Sequence, residues 1–547
     1  SRVPVGPTLS VQSVRNGAVR QGVDSYVIDG NASGVVWFSG SDYVQAYGEA
    51  GLFPGGTGAG SNATFATGTA VATILMSGYN ASSSTDLPPW DPAQIRDYFN
   101  DTFPPAWPAP TYVGVPVTVG SLTPPLPGPY GALNDDSLDE AETSLDIEMA
   151  GSSAPGAMVA NFYFSASLFQ TLNDSAPLGP VADDFAEGLS QALSYNYSGN
   201  RLASVTNSYG LPDLNDSMWN LELAHAAAVG VTVVAASGDQ GNAPSDVSGH
   251  FQGQWPTWPA SAAFNDYGTV SVGGVSLSLG GAPTGTFTGG VLPDGFDSNF
   301  TGIAAQTAWY DDLGGYGHVQ GSEGGLSTVI PQPLWQFDSA AQPAIASAGG
   351  AQGASQLGRA GPDVAFPAND TVAYVAHNAS GSFFSVLEGT SIAAPFFAGL
   401  LAEWSAVAHH PFGWIDPSLY RLAGYDAANP QAVNPFLDVT NGSNFQFSTA
   451  SGWDPVTGWG GLDPVRFLPA YQTILGSNFT YTGPTPGLPP GLFTPAPVTP
   501  VVTVVVVAVG IALALGLVAI IVWDERMRRR RLPPSGPYQV PPWAYGV

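Results

Sequence analysis

The stretch SMWNLELAHAAAVGVTVVAASGD, residues 217–239, decides the fold class. Residues 217–228 have a helical pattern, and the apolar run at 230–236 predicts a buried strand. A second such run, AMVANFYF, occupies residues 157–164. Helices that alternate with buried strands predict an α/β fold with a central, mainly parallel sheet flanked by helices. Catalytic groups in such folds gather beyond the carboxyl ends of strands, where Ser237, Gly238 and Asp239 stand.

Composition limits the chemistry that the chain can perform. It has 547 residues, which is too long for a single core of ordinary size, so we expect one large domain with appendages or several smaller domains. It contains 68 glycines, 49 prolines and no cysteine. The absence of cysteine excludes thiol nucleophiles, cysteine-ligated zinc, iron–sulfur clusters and disulfides.

The charge balance is strongly acidic. There are 42 acidic residues against 13 basic ones, all of them arginine, for a formal net charge of -29. Such a surface repels nucleic acid at neutral pH, so no nucleic-acid partner is expected. Charged residues make up only 10% of the chain, which favours an acidic extracellular setting over a salt-adapted surface.

Residues 501–523, VVTVVVVAVGIALALGLVAIIVW, contain no charge. A segment of this length can cross a hydrocarbon core of about 30 Å as a helix, so we expect one transmembrane helix in a lipid bilayer. Five arginines between residues 526 and 531 mark the cytoplasmic side, which leaves the first 500 residues outside the cell. The Pro- and Gly-rich residues 480–500 predict a semi-extended stalk before the span.

Glycosylation motifs of the form Asn-X-Ser/Thr agree with this topology, because none follows the span. The candidate acceptors are Asn31, Asn62, Asn80, Asn100, Asn173, Asn196, Asn215, Asn299, Asn369, Asn378, Asn441 and Asn478.

Ser391 is the candidate nucleophile. It stands in the run Gly389 to Pro395 (GTSIAAP), at a turn into a helix whose N–H groups could stabilise an oxyanion. A simple helix cap would explain the same serine. The six histidines do not provide an evident base: none lies in a His-Gly-Thr context, and His225 in its Ala-rich helix is expected to pack in the core.

Carboxyl groups offer a different base. Glu142 and Asp146 are four residues apart, so on a helix they share a face and could share a proton, although a solvated helix face has the same pattern. Asp239 could donate a hydrogen bond to an oxyanion if it is protonated, or it could be an ordinary turn residue. A carboxyl base with an ordinary pKa of about 4.3 remains active in acid, where histidine is protonated.

Three motifs in this order resemble the sedolisin family of serine-carboxyl peptidases. They are ETSLDIE at 142–148, ASGDQG at 236–241 and EGTSIAAP at 388–395, and the likeness covers roughly residues 40 to 470. The resemblance implies a subtilisin-like fold. It also implies a catalytic set in which Ser391 is the nucleophile, Glu142 the general base, Asp146 its orienting partner and Asp239 an oxyanion donor beside the Ser391 N–H. The implied substrate-lining strand consists of Ser208, Tyr209 and Gly210.

The resemblance further implies one bound calcium ion near the end of the domain. Its ligands would be the carboxylates of Asp438 and Asp454 and the carbonyls of Val439, Ala450 and Gly452. Ala450 stands where the family usually has glycine. Glu388 is a second departure, since it replaces the glycine common before Gly-Thr-Ser and adds a carboxyl near the nucleophile.

Together these observations predict a membrane-anchored extracellular endopeptidase that hydrolyses peptide or protein substrates in acid. The predicted location is the surface of a microbe, with an archaeon as one candidate. The alternatives are an inactive glycosylated surface protein on a peptidase scaffold and a tripeptidyl exopeptidase. The oligomeric state is left open. The predicted division is an N-terminal extension or prodomain tail (1–39), a sedolisin-like peptidase domain (40–476), a stalk (477–500), the membrane helix (501–523) and a cytoplasmic tail (524–547).

Overall fold

A computed structural model describes most of the predicted peptidase domain. The described residues are 26–27, 38–56, 63–80, 83–129, 138–168, 178–242, 256–280, 302–312, 319–369, 371–378, 381–429 and 432–475. The chain divides into two compact units, residues 1–488 and 489–547, and every described residue belongs to the first. The predicted stalk, membrane span and cytoplasmic tail lie outside the described residues.

Helices and strands alternate through the described chain. The α-helices are α1 Gly40–Ala46, α2 Pro92–Thr102, α3 Leu138–Ser152, α4 Gly179–Ser194, α5 Ser217–Val229, α6 Leu334–Phe337, α7 Gln342–Gln352, α8 Thr390–Ala408, α9 Asp416–Ala428 and α10 Pro464–Leu475. Short 3₁₀ helices span Glu49–Leu52 and Ala166–Leu168. The strands are β1 Tyr26–Val27, β2 Thr69–Met76, β3 Gly78–Asn80, β4 Thr85–Leu87, β5 Thr111–Pro116, β6 Met158–Phe164, β7 Arg201–Asn207, β8 Thr232–Ala236, β9 Thr269–Gly280, β10 Gly302–Ala308, β11 Tyr310–Asp312, β12 Val319–Gly321, β13 Gly325–Pro331, β14 Gly358–Gly361, β15 Val364–Pro367, β16 Thr371–Asn378, β17 Gly381–Leu387, β18 Phe436–Leu437 and β19 Gly461–Leu462.

The central sheet has the strand order β10-β9-β8-β7-β2-β6-β5, and β15 pairs with β9 beside this path. Every pairing in it is parallel except that of β10 with β9, which confirms the predicted mainly parallel sheet. The predicted strand at 230–236 begins two residues later, at Thr232. The reason is that Gly230 ends α5 in the left-handed region, with a φ of 82°.

Helices cover both faces of the sheet. On one face, α4 and α5 pack against β2, β6, β7 and β8. On the other face, α3 and α8 pack against the same part of the sheet and contribute many residues to the larger hydrophobic core. All 19 residues of α8 are buried. This helix is long and apolar enough to cross a membrane, and within the described part of the chain no other helix is. Because it is fully buried, it is the core helix of this fold.

Several carboxyl groups are buried on this helical face, and Glu403 and Glu49 are two of them. Glu403 lies on α8 and Glu49 on the first 3₁₀ helix, and each side chain has no exposed surface. Burial raises the pKa of both well above the usual range, and the charge of Glu403 raises that of Glu49 further. The folded chain therefore binds protons at these groups more tightly than the unfolded chain does.

Candidate active site

Ser391 lies in the first turn of α8 and is fully buried. Gly389 precedes this turn with a φ of 152°, a value that favours glycine, and a Cβ there would lie 3.0 Å from Oδ2 of Asp239. The Ser391 Oγ is 3.5 Å from the carbonyl oxygen of Ser208. Since the first N–H groups of a helix have no partner within it, the Ser391 N–H is positioned as a hydrogen-bond donor.

Asp239 lies in the turn that follows β8, and its carboxyl group contacts the start of α8. Its Oδ1 accepts hydrogen bonds from the backbone N–H and the hydroxyl of Thr390, each at 2.7 Å. The Thr390 hydroxyl in turn accepts one from the Gly238 N–H at 3.1 Å. Thr390, which directly precedes Ser391, therefore connects the turn after β8 to the N-terminus of α8.

Glu142 and Asp146 lie one turn apart on α3, with side chains 3% and 0% exposed. Such burial excludes a solvated helix face. Oδ1 of Asp146 accepts a hydrogen bond from the Ser208 hydroxyl at 2.7 Å, and its Oδ2 is buried with no hydrogen-bond partner among the described residues. Burial raises the pKa of Asp146 well above its usual range, although the Ser208 hydrogen bond opposes the shift.

The helices α3 and α8 approach each other closely at Gly399. A Cβ at this position would lie 2.1 Å from Oγ of Ser153 and 2.3 Å from the carbonyl oxygen of Ala150. Only glycine allows this separation without a backbone shift. The helix of the carboxyl pair is therefore set directly against the helix of the serine.

Ser208 joins these parts of the site. Its hydroxyl donates a hydrogen bond to Asp146, and its carbonyl accepts a hydrogen bond from the Ser391 hydroxyl. Ser208, Tyr209 and Gly210 directly follow β7, and all three are buried. Whether a peptide pairs with them remains a prediction.

Two histidines follow α8, but they lie at the end of the helix opposite to Ser391. His409 and His410 follow the last turn of this helix, about 27 Å along its axis from Ser391 at 1.5 Å per residue. The predicted packing role of His225 is wrong, because its side chain is 45% exposed and contacts Glu222 at 3.2 Å. His250 and His318 lie outside the described residues.

A buried carboxyl that the sequence analysis missed belongs to this region. Glu323 is 1% exposed, and its Oε1 accepts a hydrogen bond from the Gln240 N–H at 2.9 Å. Its only signal in the sequence is a glutamate in the run Ser322 to Ser327 (SEGGLS). The other extra carboxyl, Glu388, is partly exposed and directly precedes Gly389.

The five residues of the predicted calcium site lie in two neighbouring loops. Asp438 accepts the Gly452 N–H at 3.0 Å through Oδ2, while its Oδ1 is buried with no hydrogen-bond partner in the described structure. Asp454 accepts the N–H groups of Ala450, Val456 and Thr457. Burial raises its pKa to about 6.

This donor set fits a hard cation such as calcium, because a buried carboxylate oxygen without a hydrogen-bond donor belongs to a pair of loops that offer a second carboxylate and backbone carbonyls. No cluster of three or more acidic, histidine or cysteine side chains that could hold a metal ion occurs among the described residues. An ion here would therefore depend on the carbonyls of Val439, Ala450 and Gly452 as well as on Asp438 and Asp454.

The candidate glycan acceptors differ in accessibility. Asn100, Asn196, Asn215 and Asn441 are exposed, whereas Asn80 is partly buried. The amide nitrogen of Asn369 donates to Oγ of Ser276 and Oδ2 of Asp311, so a glycan there would displace these contacts. The side chain of Asn378 and the acceptors Asn31, Asn62, Asn173, Asn299 and Asn478 lie outside the described structure.

Comparisons with known proteins agree with this geometry. Residues 179–418 match the model of the subtilase family. The chain is 29% identical to kumamolisin from Bacillus sp. (strain MN-32) over 356 residues, which cover 62% of this chain and 53% of that protein. It is 27% identical to sedolisin from Pseudomonas sp. (strain 101) over 355 residues, covering 62% and 50%. It is 31% identical to human tripeptidyl-peptidase 1 over 254 residues, covering 44% and 37%.

Among solved structures, Pseudomonas sedolisin, a serine-carboxyl proteinase complexed with two molecules of pseudo-iodotyrostatin, superimposes with a TM-score of 0.53. The sequence identity is 20%, and the match covers 80% of this chain and 98% of that one. The fold is therefore subtilisin-like. The chain spans about half the length of the two bacterial relatives that it matches.

Proposed function

These similarities support the sedolisin family of serine peptidases for this chain, and we propose that it is a serine-carboxyl peptidase that hydrolyses peptide bonds in acid. One observation carries the proposal: two carboxyl groups from separate elements bind residues that adjoin Ser391. Asp239 binds the first residue of its helix, and Asp146 binds Ser208, whose carbonyl contacts the Ser391 Oγ. Such convergence is expected of a nucleophile and not of a simple helix cap.

In the proposed reaction, the Ser391 Oγ attacks the peptide carbonyl carbon while its proton passes to Glu142. The carbonyl oxygen becomes an oxyanion that accepts hydrogen bonds from the Ser391 N–H and from Asp239. Oδ1 of Asp239 already accepts two hydrogen bonds, so its proton would reside on Oδ2, the oxygen beside Gly389. Collapse of this intermediate breaks the C–N bond, and the leaving amine takes the proton from Glu142. Water then hydrolyses the acyl-enzyme.

The acid requirement follows from the carboxyl groups. The raised pKa of Asp146 keeps it protonated in acid. A proton on Oδ2, which has no hydrogen-bond partner among the described residues, would be available to Glu142 one helical turn away and would leave Glu142 as the proton acceptor. Asp239 donates to the oxyanion only while it holds its proton. A rise in pH therefore removes the protonated donor, whereas the carboxylate base stays available.

We also propose the wider setting that the sequence predicts. The span at 501–523 would anchor the peptidase with residues 1–500 outside the cell, and a calcium ion bound through Asp438 and Asp454 would hold the two loops near the end of the domain together. Endopeptidase action on protein substrates is our first choice. A tripeptidyl exopeptidase is the second, because the similarity to human tripeptidyl-peptidase 1 is of the same order.

The test uses the full chain, purified with a mild detergent and with calcium present. An unfolded protein substrate is incubated across a series from about pH 3 to about pH 8, and the products are sized and sequenced. We expect cleavage at about pH 4, where a histidine base would be protonated. Internal fragments would indicate an endopeptidase, and successive tripeptides from the amino terminus an exopeptidase.

Two variants and their controls decide the mechanism. Ser391→Ala and Glu142→Gln should abolish cleavage, whereas the exposed controls Ser194→Ala and Glu187→Gln should not. Full activity in Ser391→Ala would exclude the mechanism. A folded, calcium-loaded wild-type chain that cleaves nothing at any pH would instead indicate an inactive surface protein on a peptidase scaffold.

A further inference from the structure

Glu323 lies between β12 and β13, and its carboxyl group packs under the turn that carries Asp239. Its Oε1 accepts the Gln240 N–H at 2.9 Å. A Cβ added to Gly238, which has a φ of 115°, would lie 2.2 Å from Oε2 of Glu323. Only a glycine at 238 leaves room for this carboxyl, so the turn and the glutamate fit as a pair.

The backbone around Glu323 is fastened to the same turn. The Glu323 N–H donates to the Gly238 carbonyl at 3.1 Å, and the Gly321 N–H donates to the Asp239 carbonyl at 2.8 Å. Gly321 also forms an isolated parallel bridge with Gln240. Residues 321–323 therefore hold each residue from Gly238 to Gln240.

The surroundings of this carboxyl suit its neutral form. Burial raises the pKa of Glu323 well above its usual range, and the charge of Asp239 raises it further. Hydrogen bonds with the N–H groups of Gln240 and Asp239 and with the Thr257 hydroxyl oppose this rise of the pKa, but burial outweighs them. That hydroxyl donates its own proton to the Ser237 carbonyl at 2.6 Å, so its oxygen can accept a proton from a neutral Glu323. Among the described residues, Asp239 is the titratable group that faces Glu323.

We propose that Glu323 is a positioning residue, which holds the Asp239 turn in place through a neutral carboxyl group and so aligns the donor to the oxyanion. This inference rests on the proposed function. The carboxyl does not touch the reacting atoms and acts through Asp239. Once ionised, it would put a second negative charge behind the oxyanion, so its ionisation contributes to the alkaline limit of activity.

Two substitutions in the full chain separate positioning from bulk structure. Glu323→Gln keeps the shape, the acceptor for Gln240 and a donor for Thr257, but cannot ionise. Glu323→Ala removes all three. We expect Glu323→Ala to lower kcat by about 10- to 100-fold with KM within about threefold, since misplaced catalytic groups cost up to about 100-fold. Glu323→Gln should restore kcat in acid and shift the alkaline limb of kcat/KM to higher pH. Glu187→Gln, on an exposed site, should do neither.

Amide hydrogen exchange at residues 238–241 gives a readout that does not need activity. Exchange should be faster in Glu323→Ala and unchanged in Glu323→Gln. The inference is overturned if Glu323→Ala keeps wild-type kcat and exchange, or if Glu323→Gln leaves the alkaline limb in place. If Glu323→Ala does not fold, the Glu323→Gln pH profile and exchange decide alone. A wild-type chain without peptidase activity would refute the proposed function, and the exchange rates would still test the positioning role.

Discussion

Asp239 provides the sharpest test of the site, because its two oxygens have different tasks. Oδ1 accepts two hydrogen bonds from the buried Thr390, and Oδ2 lies beside Gly389, where the oxyanion would form. Asp239→Ala removes both functions. Asp239→Asn keeps the acceptor at Oδ1 and replaces the protonated Oδ2 by an N–H₂ donor that does not titrate.

The expected magnitudes follow from these contacts. Removing one oxyanion donor costs about 10²- to 10³-fold in kcat, or about 2.7–4 kcal/mol. Leaving the buried Thr390 N–H without an acceptor costs about 1–3 kcal/mol of stability. Asp239→Ala should therefore lose both activity and stability, whereas Asp239→Asn should keep most of its acid activity and retain it to higher pH than the wild type.

The assay is steady-state cleavage of a fluorogenic peptide from about pH 3 to about pH 8, with the exposed Asp97→Ala as the control and Tm measured on each variant. Asp239→Ala with kcat within about fivefold of wild type would refute the assignment of Asp239 as an oxyanion donor, since loss of such a donor costs about 10² or more. Equal inactivity of Asp239→Asn and Asp239→Ala would refute the claim that a hydrogen-bond donor, and not the acid itself, is required.

Three other substitutions test the fold around the site. Gly399→Ala should push α8 from α3, lower the free energy of unfolding by about 1–3 kcal/mol and lower kcat. Gly424→Ala, inside α9 with open space around it, should leave activity unchanged and raise the free energy of unfolding in denaturant by about 0.5–1 kcal/mol, because alanine favours a helix over glycine. Because burial raises the pKa of Glu403 in the folded state, its contribution to stability is complete below the unfolded pKa of about 4.3 and is lost as pH rises through the folded pKa. Glutamine does not titrate, so Glu403→Gln should raise Tm at neutral pH by about 2 °C or more and leave Tm nearly unchanged in acid, as measured by calorimetry. Calcium chelation should lower Tm in the wild type and in Asp97→Ala, and Asp438→Ala should no longer respond to it; an unchanged wild-type Tm would contradict a structural ion.

Only the tertiary structure revealed three features of the site: the burial of the carboxyl pair, the role of Ser208 and the position of Glu323. Glu142 and Asp146 follow a helical spacing that suits either a solvated face or a catalytic pair, and only the packing of α3 against α8 excludes the first. The contact between Asp146 and Ser208 spans 62 residues, and that between Thr390 and Asp239 spans 151. The wrong prediction for His225 has the same cause. Its apolar neighbours along the chain suggested burial, but the packing of α5 on the sheet decides which face of the helix is exposed.

The sequence by itself determined what depends on short stretches of chain. Apolar runs and helical periods predicted the parallel sheet, because each strand of such a sheet is buried on both faces and shows this in its own residues. Glycines at 238 and 389 marked the two turns of the site, because their backbone conformations are strained for other residues. Which carboxyl groups are buried, and which of them face one another, depends on contacts between distant segments, and such contacts exist only once the sheet and its two layers of helices have assembled.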